Sequence, residues 1–91
     1  MKKILVIEDN QDVRENLAER LQLANYDVDT AENGKIGVDK ALNSPPDLIL
    51  CDIMMPVMDG FNVLHILSNK PTTAGIPFIF LTAKAEMTDL R

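Results

Sequence analysis

Two runs of four apolar residues, Ile4–Ile7 and Leu48–Cys51, offer no polar side chain to turn toward water. Runs this short and uniformly apolar fit strands covered on both faces, as in a parallel sheet flanked by helices. Each run ends abruptly on acid, Glu8 and Asp9 after the first and Asp52 after the second. Carboxylates so placed lie where buried strands leave the sheet, the edge at which open parallel sheets take their ligands.

The segments between these runs read as helices and further strands. Asn10 to Asp12 can cap a helix whose Val13, Leu17 and Leu21 recur every four residues, with Ala18 and Ala24 beside them and Asn25 at its end. Tyr26 to Ala31 mixes Tyr, Val and Thr with two aspartates, the pattern of an edge strand with one side solvated. After Asn33-Gly34, a helix over Lys35 to Asn43 places Gly37, Val38, Ala41 and Leu42 on one face, with Gly37 costing about 1 kcal/mol against Ala. Pro45-Pro46-Asp47 leads into the second apolar run. Asp59 or Gly60 then starts a helix through Phe61, Val63, Leu64, Ile66 and Leu67, and a loop from Asn69 to Ile76 follows. Pro77 to Leu81 is the next strand, stopping at Thr82, and Met87 to Arg91 reads as the beginning of another helix. Strands alternating with helices predict right-handed crossovers and a parallel α/β sheet.

A chain of 91 residues, 46% of them hydrophobic, holds one core and not two. Its net charge of −5 argues against binding a phosphate backbone, which rests on clustered Lys and Arg. Cys51, the single cysteine, reads as a small buried hydrophobe. The apolar start after Met1-Lys2-Lys3 meets Glu8 too soon for a signal peptide, and no stretch is long enough to span a bilayer. A soluble protein of the reducing cytoplasm is the expectation.

If the sheet is parallel, Glu8, Asp9, Asp52 and Thr82 all arrive at one edge. Taken singly, the acids could equally favour a helix N-terminus and Thr82 could cap one. Together they make three carboxylates and a hydroxyl with nothing basic in evidence to offset them. Such a group repels itself unless a cation is shared, and Mg²⁺ suits it, taking one or two carboxylates while keeping water and room for a phosphate oxygen.

These residues carry a family resemblance. Val6-Ile7-Glu8-Asp9, the stretch Asp52-Ile53-Met54-Met55-Pro56-Val57-Met58-Asp59-Gly60, and Leu81-Thr82-Ala83 resemble the receiver domain of two-component response regulators, over essentially the whole of residues 1–91. The resemblance implies a flavodoxin-like three-layer α/β fold with strand order 2-1-3-4. It implies that Asp52 is the phosphoacceptor, attacking a phosphohistidine, and that Glu8 and Asp9 hold Mg²⁺ with Asp52 and the backbone carbonyl of Met54. Thr82 is similar to the family's switch hydroxyl, Ala83 keeps its neighbourhood small, and Met54 and Lys84 fall where the family tunes phosphoryl lifetime. Pro56 and Gly60 shape the loop, Met55 and Met58 pack or line it, and His65 sits in a helix away from the chemistry.

The implied partners are a sensor histidine kinase or phosphotransfer protein and an output domain or target, with no nucleic acid or membrane bound by this segment. The chain departs from the family where a fifth strand and last helix usually follow, with their lysine and aromatic residue; Lys84, directly after the fourth strand, does not replace that lysine. The reading is therefore of a receiver domain incomplete at its C-terminus, either the ordered part of a longer chain or a truncation whose apolar fourth-strand edge a second copy covers. Without a last helix, the first helix would be the main cover of one sheet face. The expected role is a signalling switch that takes part in its own phosphoryl transfer and hydrolysis, and not an enzyme acting on metabolites. A Mg²⁺-dependent phosphatase or phosphotransferase with an aspartate nucleophile is the competing reading, though enzymes of the haloacid dehalogenase type generally carry a second Asp where this chain has Met54. A receiver-like interaction module that is never phosphorylated is the other.

Overall fold

The structure, a computed structural model, describes residues 1–81. It contains β1 (Lys3–Ile7), α1 (Gln11–Leu23), β2 (Asp27–Ala31), α2 (Gly34–Asn43), β3 (Leu48–Asp52), α3 (Gly60–Ser68) and β4 (Phe78–Leu81). The four strands form one parallel sheet in the order β2-β1-β3-β4, as the sequence predicts. Boundaries differ from the sequence reading by about one residue at several ends, where capping and strand pairing decide the limit. Thr82 and the helix expected over Met87–Arg91 lie outside the described residues.

All three helices begin in the same way. Asn10, Asn33 and Asp59 occupy N-cap positions, and each side-chain Oδ1 accepts from the backbone N–H three residues on, Val13, Ile36 and Asn62, at 2.8–3.0 Å. One donor that the helix itself cannot satisfy is thereby paired at each start. α1 ends with Asn25 at φ 73°, while the amides of Asn25 and Tyr26 donate to the carbonyls of Gln22 and Leu21. This double bond pattern closes the helix on an asparagine that tolerates the left-handed region.

Strand alternation divides the interior. On one face Leu5, Ile7, Ile49 and Cys51 pack with Val38 and Ala41 of α2 and Val63 and Leu67 of α3. On the other, Ile4, Val6 and Leu50 lie under Leu17 and Leu21 of α1, neither of them fully buried. Gly37 has a packing reason to outweigh its poor helix propensity, since a Cβ there would collide with the Ile7 side chain, lying 2.7 Å from its Cγ1. β2 is the solvated edge expected of it, and β4 ends the sheet on the other side among the described residues, with Ile79 half exposed. Phe80 stacks between Phe61 of α3 and Phe78, with ring centroids 5.0 and 5.2 Å apart.

Candidate functional site

The register fixes what reaches the sheet edge. Ile7 of β1 pairs with Cys51 of β3, so the next residues, Glu8 and Asp52, stand level with each other. Alternation turns both away from the packed α2–α3 face toward the side covered by α1. Both are buried, at 2% and 4% exposure. Asp9 joins them from the β1–α1 turn, and one carboxylate oxygen from each of Glu8, Asp9 and Asp52 lies within 4.8 Å of the others.

The turn that carries the acid pair is tied at several points. The amide of Glu8 donates to the Ala31 carbonyl at 3.0 Å, and its Oε2 accepts from the Asn10 amide at 2.9 Å. Its carbonyl accepts from Arg14 Nη1 at 2.8 Å, and the same nitrogen stands 3.5 Å from the Asp9 carbonyl. Thus a cation does approach the acidic edge, contrary to the sequence reading. Arg14 sits on the first turns of α1, where side chains lean back toward the helix N-terminus and so reach the strand tip. Its spacing of five and six residues from the two acids was the available signal.

The β3–α3 turn is built differently. The Met58 amide donates to the Pro56 carbonyl at 2.8 Å around Val57, whose φ is 76°. This is the rarer, positive-φ form of γ-turn, and a β-branched residue at its centre is strained. Met54 and Val57 are exposed, Met55 is buried in the core and Met58 packs against it, consistent with packing and lining roles for the last two. Gly60 acts by clearance, not by conformational freedom: its φ is not positive, and a Cβ would collide with the Asp52 carbonyl oxygen and lie 3.0 Å from Ile53 Cα. His65 is exposed on α3, its carbonyl accepting from Ser68 Oγ and Asn69 Nδ2.

Cys51 lies beside this chemistry but faces the other way. Burial, then the charges of Asp52, Glu8 and Asp59, push its thiol up to about 12, so it remains protonated and inert.

The donor set fits a hard divalent cation. All three ligands are carboxylate oxygens, and Asp9 Oδ1 is buried with no hydrogen-bond partner among the described residues. Next to the carboxylates, a cavity of about 330 Å³ opens under α1, lined also by Val13, Leu17 and Leu81. Of the residues expected at the site, the structure brings together Glu8, Asp9 and Asp52; Met54 follows two residues beyond Asp52, and Thr82 is outside the described residues. No helix among the described residues is long and apolar enough to cross a membrane.

Comparison with known proteins gives a consistent answer. The profile of the family described as response regulator receiver domain matches residues 4–91. Response regulator ArlR of Staphylococcus epidermidis is 39% identical over 89 residues, covering 98% of this chain and 39% of its own. Transcriptional regulatory protein ResD of Bacillus subtilis is 44% identical over 84 residues, covering 92% and 34% respectively. The chain thus spans about two fifths or less of the length of these curated relatives. Among solved structures, chemotaxis response regulator CheY4 of Vibrio cholerae superposes with a TM-score of 0.88 at 30% identity, over 99% of this chain and 75% of that one. Response regulator TrrA of Thermotoga maritima, solved in complex with Mg(2+)-BeF, gives 0.86 at 38% identity over 99% and 77%.

Proposed function

The chain belongs to the response regulator receiver domain family, and on that premise we propose that Asp52 is its phosphoacceptor and that Glu8, Asp9 and Asp52 hold Mg²⁺. The observation that carries the reading is the convergence of three carboxylates, two of them on adjacent buried strand ends, around a buried Asp9 oxygen that has no hydrogen-bond partner among the described residues. A carboxylate at the tip of β3, held by a strand paired on both sides, is a positioned nucleophile. A bond forms between an Asp52 oxygen and phosphorus as the bond from phosphorus to the donor nitrogen of a kinase or phosphotransfer histidine breaks. A divalent cation bound there offsets charge on the transferring phosphoryl group.

The same reading gives Thr82 the role of switch hydroxyl and the Met54 backbone carbonyl a place among the metal's ligands. Phosphorylation then biases the surface around the site between two arrangements that an output partner distinguishes, the mode of a signalling switch. Relatives named as transcriptional or DNA-binding regulators support an output of that kind, while the net charge of −5 places any nucleic-acid contact in another segment. The cytoplasm, where a sensor kinase would meet it, is the proposed setting.

Incubation with a small-molecule phosphodonor and Mg²⁺ tests the assignment by mass. Wild type should gain one phosphoryl group and Asp52→Asn none. Equal labelling of the two would move the acceptor elsewhere, and no labelling of wild type would remove the phosphoacceptor role.

A further inference from the structure

We propose that Arg14 is a positioning residue for the metal site, fixing the β1–α1 turn so that the Glu8 and Asp9 carboxylates converge on Asp52. The inference deepens the reading of the site as a Mg²⁺ centre and rests on it. Its basis is the bonding of one short segment. Glu8 ends a strand, so its carbonyl has passed beyond the ladder of β1, and Arg14 Nη1 supplies the donor at 2.8 Å. The same guanidinium nitrogen lies 3.5 Å from the next carbonyl, that of Asp9, and so bridges the backbone of both acids.

Among the described residues, the other side-chain bonds of this turn leave the Asp9 backbone unheld. Asn10 N–H holds the Glu8 carboxylate and Asn10 Oδ1 caps α1 through the Val13 amide, but neither bond touches the Asp9 backbone. α1 has no fully buried residue, so packing alone anchors its first turns weakly. A charge-assisted bond to a carbonyl is among the stronger neutral-partner interactions. Arg14 thus joins the helix start to the strand tip, and the direction of two ligand side chains follows from where that backbone is held.

Charge and geometry make opposite predictions for this residue. A guanidinium beside a cation site opposes the cation, so if field were all that mattered, Arg14→Ala would tighten Mg²⁺ binding. A positioning role predicts the reverse. Calorimetric Mg²⁺ titration of wild type, Arg14→Lys and Arg14→Ala separates them. We expect Arg14→Ala to bind about tenfold more weakly, the loss of roughly one charge-assisted hydrogen bond. Arg14→Lys should recover part of this, because a lysine ammonium keeps the charge and the donors but carries them on a shorter stem without the fixed guanidinium plane.

A second readout needs no metal. Amide hydrogen exchange at Asn10 should quicken in Arg14→Ala, with exchange in β3 unchanged. Binding of Mg²⁺ by Arg14→Ala at wild-type strength or tighter would overturn the proposal, as would unchanged exchange at Asn10. If wild type itself takes up no Mg²⁺, the metal-site reading fails, and the exchange measurement still decides whether Arg14 holds the turn.

Discussion

The two faces of the sheet are assembled from the same strands but differ in how they are covered. On the α2–α3 side the helices bury Gly34, Gly37, Val38, Ala41, Gly60, Val63 and Leu67, and glycine lets a helix close on Ile7. On the α1 side the helix buries nothing completely, and a cavity of about 330 Å³ remains beneath it. The site's carboxylates Glu8 and Asp52 line that cavity, while inert Cys51 faces the packed side. The contrast teaches that stability and chemistry are separated by strand parity. One face is filled to hold the sheet, and the carboxylates point to the other, which is less completely packed among the described residues.

The sharpest way to break this comparison is to empty each side and weigh the loss. Leu67→Ala, on the packed face, should lower unfolding free energy by about 3 kcal/mol in denaturant titration. Gly37→Ala should cost about 2 kcal/mol despite its better helix propensity, because the added methyl meets Ile7; a gain in stability would refute the close approach. Cys51 gives a pH test of the same face. Its thiol stays protonated to about 12 when folded, whereas the unfolded chain releases the proton above about 9. The unfolded state therefore binds fewer protons in that window, and stability should fall as pH rises from about 9 to 12, by up to about 1.4 kcal/mol per unit. Cys51→Ala should flatten that slope, and thiol reagents should label wild-type Cys51 only as the fold opens. Leu17→Ala, under α1, should cost about 1 kcal/mol; a loss equal to that of Leu67→Ala would erase the distinction between the faces.

Much of this was legible in the sequence, for reasons that differ by region. Short unbroken apolar runs fit strands covered on both faces, so β1 and β3 followed from Ile4–Ile7 and Leu48–Cys51, the parallel sheet from the alternation of strands with helices, and its order from the family resemblance. The convergence of Glu8, Asp9 and Asp52 followed from topology, because parallel strands end at one edge. Three things were not legible. Gly37 looked like a flaw in a helix because its reason is a contact with Ile7, distant in sequence. Val57 at positive φ defies its own propensity, since the turn between Pro56 and Met58 and the strand–helix geometry impose it. Arg14 stands in no pattern that the sequence reading used, and only the placement of α1 against the strand tip makes it a partner of the acid backbone.

The pairing of Ile7 with Cys51 has a consequence for how the site can change over time. Because neighbouring positions on a strand face opposite ways, the identity of the site is written as a phase and not merely as a composition. Exchanging Leu50 for another apolar residue leaves that phase intact. Deleting one residue within β3 keeps almost every letter of the strand yet offers the wrong neighbour to the cavity that Glu8 and Asp52 now share. The strands behind this site should therefore drift readily by substitution and hardly at all by insertion or deletion.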